Sequence, residues 1–110
     1  MRNKKNYKDY SSLKLHLTKS ISGRFLELNT INQETIGSGI GADNCFKDLF
    51  LNLGFDITTI DSTRFDLFDL GLYDNLEEAN QFLKENNINY KVNYRTRINK
   101  DILFIELIKN

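Results

Sequence analysis

The sequence predicts an α+β fold of the ferredoxin-like, split βαβ type, with a mainly antiparallel sheet, two helices on one face and an extra strand at each end. The main observation is a pattern that occurs twice, 33 residues apart: an amphipathic helix, a stop and two strand-like segments. Leu49 corresponds to Phe82 in the two copies, and Gly54 corresponds to Asn87. The links between the strand-like segments are too short for a parallel crossover, which needs a dozen or more residues.

Length and composition indicate one domain. A chain of 110 residues can bury roughly 60–70% of its unfolded surface without disulfides or metals. Residues 1–12 are basic and polar with no hydrophobic periodicity, so we expect a mobile arm followed by a single domain over 13–110. The one cysteine, Cys45, lies on the apolar side of a predicted helix and should be a buried thiol. No apolar run reaches ~18 residues and no secretory hydrophobic region follows the basic start, so we expect a cytoplasmic protein.

Strand-like segments are identified by the alternation of apolar and polar residues. Residues 13–18 and 24–31 predict an opening hairpin in which the leucines face inward and His16 faces solvent. Residues 32–42 contain three of the six glycines and predict a flexible loop. Four further strands are predicted: 55–60 pairs antiparallel with 64–70, and 90–97 pairs antiparallel with 101–108.

Two helices are predicted from apolar stripes at a spacing of three and four residues, over 43–53 and 75–86. Asp43 and Asn75 are the expected N-caps, because their side chains can accept hydrogen bonds from free amides of the first turn. Gly54 fits the left-handed position after a helix. The residues expected to be buried between helices and sheet are Phe46, Leu49, Phe50, Phe82 and Leu83.

The formal net charge is zero, but charge is unevenly distributed along the chain. Residues 1–24 contain seven Lys or Arg and one Asp. Residues 25–90 contain three Lys or Arg and twelve Asp or Glu, and residues 91–110 contain five Lys or Arg and two Asp or Glu. The ends can complement the middle within one fold. Alternatively, one exposed face presents a strong field to a charged partner.

The leading hypothesis is a small non-catalytic binding protein that covers a surface of a larger protein. Five aspartates lie in or beside the two adjoining strands predicted at 55–60 and 64–70: Asp56, Asp61, Asp66, Asp69 and Asp74. Carboxylates on strands can imitate a row of phosphates to a basic channel. Compactness without motifs is typical of inhibitors that phages and mobile elements make against host nucleic-acid enzymes, including anti-CRISPR proteins. The plainer alternative is an acidic, solvated face.

A second hypothesis is binding of RNA or another single-stranded nucleic acid. Lys91, Arg95 and Arg97 lie on one side of the penultimate strand and can track phosphates. Tyr90 or Tyr94 can stack on bases. These aromatic residues fall on the opposite side of the strand from the arginines, which counts against this hypothesis. A homodimer through the C-terminal strand is a further option, because that strand is apolar on nearly every residue.

A third hypothesis concerns the segment ETIGSGIGAD, which is followed by LGFDITTID. This pattern resembles the first motif of class I S-adenosylmethionine-dependent methyltransferases, in which a glycine loop turns under the cofactor and an acid ends the next strand. The resemblance implies that Gly37, Gly39 and Gly41 let the backbone approach S-adenosylmethionine or a nucleotide. It also implies that Asp61 accepts hydrogen bonds from ribose hydroxyls. The two-residue link after Asp61 leaves no room for the next helix and strand of a wound sheet, so the predicted fold remains α+β.

No catalytic or metal-binding residue is predicted. Paired carboxylates occur at Glu77–Glu78 and at Asp66 and Asp69, but no base or nucleophile stands beside them in the sequence. The single histidine, His16, has no neighbouring carboxylate in sequence that would make it an acid–base group. The leading hypothesis therefore requires neither a cofactor nor an enzyme activity.

Overall fold

The computed structural model describes residues 11–20, 22–69, 75–99 and 101–110. Within these residues the chain forms a five-stranded antiparallel sheet, two α-helices and a 3₁₀ helix. The elements in chain order are β1 (Ser12–Lys19), β2 (Phe25–Thr30), β3 (Thr35–Ile40), α1 (Ala42–Asn52), the 3₁₀ helix (Ser62–Phe68), α2 (Leu76–Glu85), β4 (Tyr90–Asn99) and β5 (Ile102–Lys109). The strand order in the sheet is β3-β2-β1-β5-β4. Of the predicted arm, residues 1–10 lie outside the described residues, and Ser12 already belongs to β1.

The α+β class and the antiparallel sheet are confirmed, whereas the ferredoxin-like strand order is not observed. That order requires strands between the two helices, and the described residues between α1 and α2 form turns and a 3₁₀ helix instead. The predicted pairing of 55–60 with 64–70 is therefore wrong. The predicted hairpins are confirmed, because β1 pairs with β2 and β4 pairs with β5, each antiparallel.

Two aspartates turn the chain where a pair of strands was expected. The Oδ1 atom of Asp56 accepts hydrogen bonds from the backbone N–H and the hydroxyl of Thr58, at 3.0 and 2.8 Å. Asp61 accepts the same pair of bonds from Thr63, at 3.1 and 2.8 Å. Local bonds of this kind compete with the ladder of a sheet and favour turns. The alternation of apolar residues after Gly54 therefore does not produce a strand.

The 3₁₀ helix places two phenylalanines against the α-helices. Its period is three residues, so Phe65 and Phe68 lie on the same side and both are fully buried. The Phe68 ring stacks on Phe46 with centroids 5.1 Å apart, and the Phe65 ring meets Phe82 edge-on at 5.1 Å. The 3₁₀ helix thus joins α1 and α2 into one layer. The five residues that were predicted to form the core are all buried: Phe46, Leu49, Phe50, Phe82 and Leu83.

Both helices end in the same way, as the repeat in the sequence indicates. Gly54 and Asn87 have left-handed backbones, with φ of 97° and 59°. The N–H groups of Phe55 and Ile88 each donate to the carbonyl five residues earlier, at 3.1 and 2.9 Å. This pattern is the Schellman closure, which satisfies carbonyls at the end of a helix. Beyond this closure the two copies differ, because a 3₁₀ helix follows α1 and a strand follows α2.

The helix starts differ from each other. Asn75 caps α2 as predicted, since its side chain accepts from the backbone N–H of Glu77 at 2.9 Å. The cap of α1 is Gly41, with φ of 87° and no side-chain bond, so the predicted cap Asp43 is wrong. Asp43 lies in the first turn of α1 instead, where a negative charge is favoured by the helix dipole.

The helical elements cover one face of the sheet and leave the other open. The leucines of β1 are buried beneath the helices, whereas His16 points to the open face and lies half-buried beside Phe104, with ring centroids 4.3 Å apart. The last strand, β5, lies inside the sheet between β1 and β4, as expected from its apolar sequence. Both edges of β5 are therefore occupied, and a homodimer cannot form by pairing along that strand.

Candidate functional site

Charge separates between the two layers of the fold. The helical layer, which we define as the described residues from 42 to 89, contains nine Asp or Glu and three Lys or Arg. The sheet and its turns, the described residues before 42 and after 89, contain four acids and seven bases. The uneven charge along the sequence therefore becomes an acidic layer on a mildly basic sheet.

Four carboxylates approach one another in the acidic layer. Asp66 lies on the 3₁₀ helix, with Asp61 and Asp69 at the two ends of that helix and Asp43 in the first turn of α1. Burial raises the pKa of Asp66, and the charges of Asp43, Asp69 and Asp61 raise it further, against the opposing effect of Arg64. The other three carboxylates are thus close enough to act on the charge of Asp66. We refer to Asp43, Asp61, Asp66 and Asp69 as the acidic cluster.

The acidic cluster differs in part from the set of aspartates predicted from the sequence. Asp56 lies in the turn before the 3₁₀ helix, where the Thr58 backbone N–H and hydroxyl hold the pKa of its carboxyl below the ordinary value. Asp74 lies outside the described residues. The structure adds Asp43, which sequence reasoning treated only as a helix cap. The only signal in the sequence was its negative charge, because the approach of Asp43 to Asp66 depends on the packing of α1 on the 3₁₀ helix.

Removing the charge of Asp66 is expected to stabilise the fold at neutral pH. A raised pKa means that the folded chain holds the Asp66 proton more tightly than the unfolded chain, so ionised Asp66 costs stability above its folded pKa. Asp66→Asn should therefore raise the free energy of unfolding near neutral pH, by less than about 1 kcal/mol because the group is only partly buried. The gain should disappear as the pH falls through the raised pKa towards the ordinary value of 3.8.

Asp61→Asn serves as the control for this prediction, because its expected effect on the free energy of unfolding has the opposite sign. The Thr63 hydroxyl and backbone N–H lower the pKa of Asp61, so its ionised form contributes stability that is present above 3.8 and is lost as the pH falls through the folded pKa. Urea unfolding at several pH values measures both variants. Equal effects of the two substitutions at neutral pH would contradict the repulsion at Asp66.

The three basic residues predicted for nucleic-acid binding do not share a face. The pairing of β4 with β5 shifts between Val92 and Tyr94, so the alternation of side chains reverses there. Lys91 and Tyr94 lie on the open face, whereas Arg95 lies opposite buried Ile105 on the helix side. There the Arg95 guanidinium donates to the backbone carbonyl of Leu67 at 2.9 Å. Arg97, opposite buried Leu103, is on the helix side as well. Tyr90 is buried in the core.

The open face brings aromatic and basic side chains together around one glutamate. Lys14, Glu106 and Tyr94 are opposite one another on three neighbouring strands. The side chains of Asn93 and Ser12 donate to Glu106 at 2.8 and 3.0 Å, and these bonds hold the pKa of its carboxyl below the ordinary value. Glu106 is therefore an ionised, hydrogen-bonded group at the middle of this face.

The glycine-rich segment forms a strand that packs against a helix, so the prediction of a flexible loop is wrong. Gly37 and Gly39 lie in β3 and face α1. A Cβ atom on Gly39 would lie 2.8 Å from the Cβ of Asn44, and one on Gly37 would lie 3.0 Å from the carbonyl oxygen of Cys45. The space that the methyltransferase resemblance assigns to a cofactor is thus filled by α1. Gly41, the third glycine, is the helix cap described above.

A polar stripe of α1 covers the outer edge of β3. Asn44, Asp48 and Asn52 are spaced by four residues and therefore lie on one side of the helix. Asn44 and Asn52 donate to the carbonyls of Ile40 and Ile36 at 2.8 and 2.9 Å, and Asp48 accepts from the N–H of Ser38 at 3.0 Å. These bonds satisfy edge groups that would otherwise be open to another strand. Asp48 is therefore occupied structurally and is not counted in the acidic cluster.

The one cysteine of the chain is a buried, free thiol on α1. Burial raises the pKa of the Cys45 thiol to about 12, with smaller contributions from Asp48 and Glu27, so the thiol is protonated at neutral pH. No three His, Cys, Asp or Glu side chains of the described chain are placed to hold a metal ion. None of its helices has the length and apolar character needed to cross a membrane.

Comparison of the chain with protein families, with curated proteins and with solved structures yields no match.

Proposed function

We propose that the chain is a non-catalytic binding protein that docks its acidic cluster on a basic surface of a larger protein. The observation that carries the proposal is the concentration of carboxylates on the 3₁₀ helix and the first turn of α1, where burial and then repulsion by Asp43, Asp69 and Asp61 raise the pKa of Asp66. A partner that presents Lys or Arg side chains removes this repulsion and gains charge-assisted hydrogen bonds. The free chain holds the carboxylates in place through the fold, so little ordering is required on binding.

A surface that binds phosphates is the natural target of such a cluster. Clefts that hold nucleic acid are lined by Lys and Arg, and they attract any protein that presents negative charges at a suitable spacing. A chain that fills such a cleft excludes the nucleic acid and acts as an inhibitor. This mode of action fits a protein that a phage or a mobile element directs against a host nucleic-acid enzyme, including a CRISPR nuclease.

Charge reversal within the acidic cluster tests the proposal. Immobilised chain is used to capture partners from nuclease-treated host lysate, and the captured protein is purified for rate measurements. The variant Asp66→Lys with Asp69→Lys should reduce the association rate at low salt on the order of tenfold, because opposite charges steer encounter. Added duplex DNA should displace the wild-type chain from its partner.

Glu78→Lys with Glu85→Lys is the matched control, since it changes the net charge equally through two exposed acids of α2 in the same layer. It should leave most of the association rate intact. Raising the salt concentration should slow association of the wild-type chain, because exposed charges are screened over ~8–10 Å near physiological ionic strength. Equal losses in both variants would contradict a role of the acidic cluster itself.

The open sheet face favours a second candidate function, the binding of single-stranded nucleic acid. Lys14 and Lys91 lie on this face with Tyr94 and with the paired rings of His16 and Phe104. Aromatic rings on an open sheet can stack on bases while lysines contact phosphates.

Two glutamates on the same face, Glu27 and Glu106, oppose phosphate binding, so this candidate ranks second. Nucleic-acid binding would be favoured over protein binding by two results together. Nuclease treatment should remove the captured partner, and Tyr94→Ala should weaken its retention while Asp66→Lys does not.

A further inference from the structure

A groove runs between α1 and the chain that follows it. Its volume is about 380 Å³. The residues that line it are Lys47, Leu51, Ile57, Thr58, Ile60 and Ser62. Ile57 is buried in its floor, and Leu51 is 47% exposed at its wall. We call this feature the α1 groove.

The pattern of α1 connects the α1 groove with the acidic cluster. One side of the helix packs into the core, and a second covers the edge of β3. A third side carries Asp43, Lys47 and Leu51 at intervals of four residues, so they form one row. Asp43, at one end of this row, belongs to the acidic cluster, and Leu51, at the other and apolar end, lines the groove. The two ends of the row are ~12 Å apart at 1.5 Å per residue, which equals three or four residues of an extended peptide.

We propose that the α1 groove takes an aliphatic side chain of the protein partner, while basic residues three or four positions along the same extended segment contact the acidic cluster. This inference rests on the proposed function and specifies the segment that the partner presents. Protein interfaces combine a desolvated apolar centre with a charged rim, and the apolar contacts hold the complex after charges have steered it.

The charges of the groove select this occupant and its direction. Asp56 and Asp61 stand next in sequence to the lining residues Ile57 and Ser62. Negative charge at the rim disfavours a phosphate chain and favours a cationic peptide. Lys47 lies between the two ends of the row and repels a cation that enters the apolar end. The basic residues of the partner are therefore directed towards Asp43 and Asp66.

Fluorescence anisotropy with synthetic peptides tests the inference. The probe is a fluorescein-labelled octapeptide of alanines with leucine at its second position and arginine at its fifth, sixth and seventh positions. A second peptide carries serine in place of the leucine. The wild-type chain should bind the leucine peptide about tenfold more tightly than the serine peptide, as expected for burial of one aliphatic side chain. Leu51→Ser should bind both peptides alike.

Ile31→Ser is the matched control, because Ile31 is a 64% exposed apolar residue in the turn between β2 and β3, outside the groove. This variant should keep the preference for leucine. Asp66→Lys with Asp69→Lys should weaken the binding of both peptides and leave the ratio of their affinities unchanged. That variant therefore reports on the acidic cluster, and Leu51→Ser reports on the groove.

Equal affinity of the two peptides for the wild-type chain would overturn the groove inference while the proposed function stands, provided that the double reversal still weakens binding. A leucine preference that survives Leu51→Ser would place the aliphatic side chain elsewhere and overturn the inference as well. Absence of saturable binding of the leucine peptide at low salt would also overturn it, and the capture experiment would then decide on the proposed function alone.

Discussion

Phe50→Ala is expected to lower the free energy of unfolding by about 3–5 kcal/mol, through the lost transfer free energy and the cavity left behind. Phe50 is fully buried on α1. Its ring centroid lies 5.6, 5.7 and 6.4 Å from those of Phe68, Phe65 and Phe55. These rings belong to the 3₁₀ helix and to the turn before it, so the substitution removes ring contacts between α1 and both segments, while the stack of Phe46 on Phe68 remains.

Leu51→Ala is the matched control on the next residue of the same helix. Its side chain is 47% exposed, so the free energy of unfolding should change by no more than about 0.5–1 kcal/mol. Urea denaturation followed by far-ultraviolet circular dichroism measures both variants. An unchanged midpoint for Phe50→Ala would show that the buried side of α1 is assigned wrongly.

Gly39→Val is the second substitution with a large expected effect, a loss of about 1–3 kcal/mol or more from overpacking. The added Cβ would meet the Cβ and the carbonyl carbon of Asn44 at 2.8 and 3.0 Å. Backbone atoms of a helix cannot move away singly, so α1 would have to shift as a whole. Ser38→Val on the same strand is the control. Ser38 lies opposite Glu27 on the open face, and the substitution should cost little.

The same variant separates the packing role of the glycines from a cofactor role. Calorimetric titration of the wild-type chain with S-adenosylmethionine or ATP should give no heat of binding, because α1 occupies the space beside Gly37 and Gly39. Binding heat that Gly39→Val abolishes, in a variant whose stability is unchanged, would revive the resemblance to methyltransferases.

The elements that the sequence predicts well have strong local signals. The first hairpin alternates strictly, as in Leu13, Leu15 and Leu17, and each helix has a single apolar stripe closed by a residue suited to a left-handed backbone. Gly54 and Asn87 occupy that position in both copies of the repeat. Local propensity and burial agree in these elements, so the pattern alone decides the structure.

The elements that the sequence does not predict depend on contacts with distant residues. Glycines at alternate positions are typical of loops, and only the approach of α1 explains why Gly37 and Gly39 lie in a strand. The run around Phe65 and Phe68 fits a strand and a 3₁₀ helix equally well, and a short apolar run does not distinguish them. The register shift after Val92, which separates Lys91 from Arg95, has no signature in the sequence.

The sequence predicts the excess of negative charge at the candidate site but not the positions of the carboxylates in the fold. The excess of acids between residues 25 and 90 indicates an acidic layer. Its assignment to two strands failed, because Asp56 and Asp61 form turns with the threonines that follow them. Asp43 joins Asp66 only through the packing of α1 on the 3₁₀ helix, which no periodicity reveals.

Carboxyl footprinting of the chain, free and bound to its captured partner, tests the role of the acidic cluster most directly. Carbodiimide-activated coupling of glycine ethyl ester labels accessible Asp and Glu side chains, and mass spectrometry reports the extent at each residue. We predict that the partner protects Asp66 and Asp69, while Glu27 on the open sheet face and Glu78 on α2 are labelled as in the free chain. Protection of Glu27 with unchanged labelling of Asp66 and Asp69 would contradict the account and identify the sheet as the binding face.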